Sequence, residues 1–307
     1  MLLKHKPTSD HSDCFLSQSF RQKENSMRNK WIQNRRLATI IIIPLVIFIG
    51  RTWLASSSQM PILFDLFDTL TLLGALWVLF RHYRNLTKAD WITAFGLGLL
   101  IGVLMLFASL FNPYPFFWTV QDRAIQAVIR AGYTTLAALG GLVVMRQEGP
   151  VQFHIPALEW RKVGPSLLAG LFVGIPLAGV NVIALKLTQG QAISWQPAGA
   201  AFLDALLPGV VEEVIYRFAA WGILWMLLNK SLSGKAVWVS GLLATFIHSF
   251  AHFSDLFVEA PLVGLGMGLG IGLIWGLPPL LLARKRGLEA AISFHWIVDA
   301  ARFLTGF

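Results

Sequence analysis

Charge is scarce in this chain. Only 13% of its 307 residues are Asp, Glu, Lys or Arg, while 55% are hydrophobic. A soluble domain carries roughly twice that charge fraction, so two soluble domains of ordinary size are excluded by composition. Cysteine is almost absent: Cys14 stands alone. One cysteine excludes an internal disulfide and a cysteine metal cluster, and leaves an inert thiol as the expectation, with lipidation as the alternative. Three common catalytic signatures are missing too: HExxH, GxSxG and a cysteine nucleophile. Two routes to hydrolysis, a metal held by HExxH and a serine on a nucleophile elbow, therefore drop out.

What the chain has is long apolar runs, recurring almost to its C-terminus. A bilayer-spanning helix needs roughly 20 apolar residues. Nine candidate spans meet that length, at about 37–55, 60–80, 91–111, 122–145, 163–187, 199–228, 236–253, 260–283 and 287–305. Arg51, Arg123 and Arg130 lie in or beside the first and fourth, so a count of eight stays open. The fold expected is all-α: a polytopic transmembrane helix bundle of about nine (eight to nine) spans. Its parts are a basic tail over 1–36, a first set of transmembrane helices over 37–162 and a core over 163–307.

The net charge of +9 is uneven. Residues 1–36 supply +5 of it, on a polar stretch rich in Ser, Gln and Asn. Such a stretch is expected to be disordered. Its charge could suit nucleic acid, but a hydrophobic segment follows at once, so a cytoplasmic topogenic tail is the reading and no nucleic-acid partner is expected. The tail is too long and polar for the n-region of an ordinary signal peptide, so the first span is expected to be retained. The loops agree. With the N-terminus inside, those holding Arg81 and Lys88, Arg146 and Lys162, Lys230 and Lys235, and Arg284–Arg286 all fall inside. The opposite loops hold Arg51 and Arg123, with Lys186 near a span end, among acidic Asp122, Asp255 and Glu259. Lys and Arg stay on the cytoplasmic side. The chain is expected to be multi-pass in a bacterial inner membrane, N-terminus in and C-terminus out.

In the span at 260–283, Gly264, Gly268, Gly272 and Gly276 recur every fourth residue, a face that lets another helix come close. No strand precedes these glycines, so a nucleotide loop is rejected. Pro278 and Pro279 are expected to kink or end this helix.

Ionisable residues inside spans are rare and costly, which makes them functional candidates. They gather here in three of the last four spans. In the first cluster, Glu212-Glu213-Val-Ile-Tyr216-Arg217, Glu213 and Arg217 are four apart and share a helical face, in the order that favours an ion pair. Glu212 points about 100° away. A bridge that only joins helices would explain Glu213 and Arg217 but not Glu212, a carboxylate suited to act as general base. In the second cluster His248 and His252 are four apart; the pair could line a metal site, His252 could be an interfacial residue near the outer span end, or a lone His could be only an interhelical hydrogen-bonding group. In the third, His295 and Asp299 share a face and Arg302 can partner Asp299, so plain helix packing is the alternative. Carboxylate plus imidazole suits activation of water, directly or through a metal.

These motifs resemble the CPBP family (CaaX protease and bacteriocin-processing, also called ABI). EEVIYR at 212–217 matches its EExxxR, SGLLATFIH at 240–248 is similar to its second motif, and HWIVD at 295–299 matches its HxxxN/D. The resemblance covers about 163–307. Ala244 stands where the family has Phe, with Phe246 near enough to fill that space. A rival alignment makes His252 the family histidine; His248 aligns without a gap and is preferred. Asp299 replaces a frequent Asn.

The resemblance implies an intramembrane endopeptidase acting on membrane-associated proteins or peptides. Glu212 would be the general base on a water and His248 would orient that water. His295 and residue 299 would stabilise the oxyanion, or Asp299, if ionised, would orient His295. Glu213, Arg217 and His252 would support the site. A glutamic mechanism without a cofactor is favoured; if zinc is used, Glu212, His248 and His295 form the ligand trio, with Glu213 or Asp299 as base. Two rivals remain: a catalytically silent scaffold or immunity factor, and a proton-coupled transporter. Polar clusters confined to the second half speak against the transporter, in which both repeats usually carry broken helices.

Overall fold

A computed structural model describes residues 34–35, 37–51, 62–109 and 120–307. The tail over 1–36, its expected disorder and Cys14 lie outside the described residues apart from helical 34–35. The chain divides into two units, residues 1–45 and 46–307. In the first, residues 37–45 are helical.

The described residues contain helices and no strand. In order they are α1 (Leu37–Arg51), α2 (Leu63–His82), α3 (Lys88–Phe107), α4 (Arg123–Met145), α5 (Trp160–Gln189), α6 (Ala198–Glu212), α7 (Trp221–Leu232), α8 (Ala236–Ala251), α9 (Ser254–Glu259), α10 (Pro261–Ile271), α11 (Leu277–Arg286) and α12 (Leu288–Leu304). A π-helical segment, Glu213–Ala220, joins α6 to α7, and a second, Gly272–Gly276, joins α10 to α11. Among the described residues, each of the nine apolar runs read from the sequence is mostly helical. Five are long and apolar enough to cross a bilayer by length and composition: Leu63–Asn85, Lys88–Phe107, Arg123–Met145, Trp160–Gln189 and Pro261–Arg286.

Local chemistry sets the helix limits. Thr87 and Asp90 form a capping box at the start of α3: Asp90 N–H donates to the Thr87 hydroxyl, and Thr87 N–H donates to the Asp90 carboxylate at 2.8 Å. The same carboxylate accepts two bonds from Arg146, at 3.0 and 2.8 Å, tying the start of α3 to the end of α4. Glu289 does a similar task at the start of α12. Buried at 1% exposure, it accepts from the backbone N–H of His154 at 2.6 Å and of Ile155 at 3.1 Å. That anchors the 146–159 connection.

Pro278 and Pro279 do not end their helix, which runs on to Arg286. The π segment sits directly before them. Prolines lack the N–H that would close α-helical bonds to the preceding turn, and a widened turn accommodates the loss.

One buried core takes side chains from both halves of the chain. Ile101, Leu142 and Phe153 pack in the same cluster as Ile215, Trp221 and Leu280. Small residues bring helices together around α12. A Cβ on Gly170 of α5 would lie 2.0 Å from Ser293 Oγ and 2.2 Å from the Ala290 carbonyl. A Cβ on Gly209 of α6 would lie 3.0 Å from the Trp296 backbone. The stretch of α12 that carries His295 is therefore held between two close backbone contacts, as in membrane helix pairs generally. The glycine stripe behaves likewise: Gly268 and Gly272 face the rings of Phe250 and Phe246 on α8, and Ser249 Oγ donates to the Gly268 carbonyl at 2.6 Å.

Candidate active site

Glu212 ends α6 and Glu213 opens the π segment. π turns inside α-helices are rare and are frequent at functional sites. Here both adjacent carboxylates reach His295. Its Nδ1 lies 2.8 Å from Glu213 Oε1 and its Nε2 lies 3.6 Å from Glu212 Oε2.

Glu212 Oε2 is the point on which the imidazoles converge. Nε2 of His248 is 2.8 Å away, that of His295 3.6 Å and that of His252 3.8 Å. The structure thus brings together all three clusters read from the sequence. The two histidines of α8 differ in setting. His248 is buried, whereas the His252 side chain is 42% exposed just past the end of the helix.

Arg217 lies 3.7 Å from Glu213 Oε1 and meets His248 Nδ1 with its guanidinium. A guanidinium has only hydrogens to offer, so this contact assigns His248 Nδ1 as the acceptor. The ring proton then sits on Nε2 and is donated to Glu212. Asp299 takes up the remaining side of His295, with Oδ2 3.4 Å from Nε2 and Oδ1 3.5 Å from Arg302.

Aromatic rings fix the plane of His248. Tyr216 stacks on it at 4.3 Å between centroids and 18° between planes, and Phe64 of α2 meets it edge-on at 5.5 Å. Phe64 also touches His252 at 4.9 Å. Phe246 does not fill the space expected of it. Two residues from His248 it points about 200° round the helix, toward Gly272 of the π segment. Tyr216 lay inside the EEVIYR motif without a role, and its position one turn along from Glu212 was the available signal. Phe64 gave none, since it belongs to an ordinary apolar run far away in sequence.

Glu212, Glu213, Arg217, His248, His252, His295 and Asp299 line a cavity of about 350 Å³. Leu185, Pro208, Met267, Trp275 and Val298 form apolar parts of its wall, and Asn181 and Arg302 add polar ones. Ligand atoms of Glu212, His248 and His252 lie within 4.8 Å of one another, close enough to share a cation. His252 takes the place in that group that the sequence reading gave to His295. A metal-bound histidine donates its other ring N–H to an acceptor. The other nitrogen of His248 instead faces the donor-only Arg217.

Residues 194–301 match the model of a protein family described as type II CAAX prenyl endopeptidase, Rce1-like. The matched stretch holds Glu212, Glu213, Arg217, His248, His252, His295 and Asp299, so the resemblance read from the motifs is borne out there. No curated protein and no solved structure matches the chain. The match supports a CAAX-type protease within the membrane. Together with the apolar helices it marks an integral membrane protein.

Proposed function

We propose that this chain is a metal-free intramembrane endopeptidase in which Glu212 activates the attacking water. The observation that carries the reading is the convergence on Glu212 Oε2 of three imidazoles from α8 and α12 and the turn beyond α8. Water bound beside Glu212 gives up a proton to the carboxylate, and the hydroxide attacks the carbonyl carbon of the scissile bond. His295, oriented by Glu213 and Asp299, faces the oxyanion that forms; stabilising such charge is commonly the largest catalytic term. Glu212 then passes its proton to the leaving amine as the C–N bond breaks. Asp299 lies within ion-pair distance of both His295 and Arg302, and this supports the orienting role over direct donation to the oxyanion.

The metal-free reading is supported by Arg217, which occupies the side of His248 where a bound metal would call for an acceptor. The proposed substrate is a membrane-associated protein or peptide in the bilayer. The proposed setting is a bacterial inner membrane crossed nine times, with the N-terminus cytoplasmic.

The test is cleavage of a library of membrane-anchored peptides, prenylated and plain, by detergent-purified protein, with products identified by mass. The reading expects defined cuts, kept after treatment with a strong chelator. Cuts that vanish with chelator and return with zinc contradict the metal-free mechanism. An absence of cuts across the library contradicts the protease.

A further inference from the structure

Helix ends in residues 62–307 collect at two levels, fixed by contacts between connections. At one level, Leu288 N–H donates to the Gln152 carbonyl, Arg284 to the Pro150 carbonyl and Ser166 to the Arg286 carbonyl. At the other, Leu63 N–H donates to Ser254, Ser109 to Asp204, and Ser194 and Gln196 N–H to the carbonyls of Thr305 and Leu304. The first level carries most of the loop lysines and arginines, among them Lys88, Arg146, Lys162, Lys235 and Arg284–Arg286. The second carries Asp122, Asp255 and Glu259 with Arg123 and Lys186, and the sequence stretches 52–61 and 110–119 contain no Lys or Arg. Loop Lys and Arg mark the cytoplasmic side, and Asp and Glu weigh little.

The cavity is displaced toward the second level. His248 lies three residues before the end of α8 and twelve after its start, so about 5 Å from the far level and about 18 Å from the basic one along the axis. Asp299 lies five residues from the far end of α12 and eleven from its start. Glu212 lies about 21 Å from the far end of its helical stretch and about 30 Å from the basic end. His295 is near the middle of α12. Leu185, His252, Phe253 and Arg302, which line the cavity, stand within one turn of the far helix ends, with His252 exposed. Nearer the basic ends of α11 and α12, Leu280, Ala283, Leu288 and Ala291 are each exposed by 1% or less, and Glu289 is buried; none of them lines the cavity.

We infer that the site opens on the extracytoplasmic side of the membrane and meets its substrate there. The substrate class, which rests on the protease reading, is then an exported chain held in the membrane by a lipid or a single span, with its cleavage point in the outer half of the bilayer. A lipid-bearing tail presented from the cytoplasm would face the buried residues at the basic ends of α11 and α12 rather than the cavity.

Cysteine accessibility tests the inference without needing a substrate, so its outcome is separate from that of the protease reading. The full chain with Cys14→Ser receives one of Asp255→Cys, Leu185→Cys or Lys285→Cys and is expressed in bacterial spheroplasts. Each is treated with a membrane-impermeant maleimide before and after lysis. The expected result is labelling of the Asp255→Cys and Leu185→Cys variants in intact spheroplasts, at the level reached after lysis, and of the Lys285→Cys variant only after lysis. The reverse pattern overturns the inference. Labelling of the Asp255→Cys variant from outside with the Leu185→Cys variant labelled only after lysis overturns it too, because the cavity would then open elsewhere. The Asp255 side chain is 79% exposed, so that variant should fold even if the one in the cavity wall does not.

Discussion

Nε2 of His248 stands 2.8 Å from Oε2 of Glu212, while Nδ1 of the same ring is met by Arg217. One imidazole is thereby held between a donor and an acceptor. His248→Gln should lower cleavage by about 10²–10⁴-fold, the usual worth of a positioned acid–base partner. His252→Gln, at an exposed residue 3.8 Å from Glu212, should stay within about ten-fold of wild type. Initial rates of the two variants on one peptide decide this, and equal losses would contradict the assignment of His248.

The ring of Tyr216 stacks on His248, while its hydroxyl meets buried Asp68 and lies 3.5 Å from the Phe64 carbonyl, so the ring should be the part that supports His248. An aromatic pair is worth about 0.5–1.5 kcal/mol beyond burial, so Tyr216→Leu should lower kcat about ten-fold. Tyr216→Phe should restore it with KM unchanged in both. A Phe variant as impaired as the Leu variant would show that the hydroxyl matters.

The pair Glu213–Arg217 is fully buried. Arg217→Met leaves Glu213 without its cation, and breaking a buried pair in this way costs about 3–5 kcal/mol. The melting temperature in detergent should fall by roughly 10 °C. An unchanged melting temperature would mean that the pair contributes nothing to the fold.

Close packing of α5 on α12 should matter at Gly170 and not at Gly179, which has nothing within 4 Å of a built Cβ. Gly170→Ala forces the Cβ against Ser293 and the Ala290 carbonyl, and overpacking costs about 1–3 kcal/mol. The expected result is lower thermal stability and lower kcat for Gly170→Ala, with Gly179→Ala like wild type.

Much of this arrangement was legible in the sequence, for physical reasons. Apolar runs locate helices because the bilayer leaves few alternatives, and the described residues of all nine runs are mostly helical. Glu212, His248 and His295 stood out because ionisable groups are costly in such runs. Other features left no trace. The π segments at 213–220 and 272–276 change the pitch without changing the composition, so helical spacing pairs Glu213 with Arg217 and does not reveal its contact with His295. Phe64 reaches His248 and His252 from α2, across a sequence distance that periodicity cannot bridge. The place of His252 beside Glu212 depends on where α8 ends, and helix ends are the least readable feature of an apolar run.

The central claim is that the Glu212 carboxylate activates water for peptide hydrolysis. Its most direct test is cleavage of one membrane-anchored peptide by purified wild type and Glu212→Gln, matched for melting temperature, with the cut bond identified by mass. Gln keeps the size of the side chain and removes the base. The account predicts a loss of at least about 10²-fold in kcat with binding of the peptide retained. Cleavage at the wild-type rate and at the same bond would contradict it and leave Glu212 a structural residue.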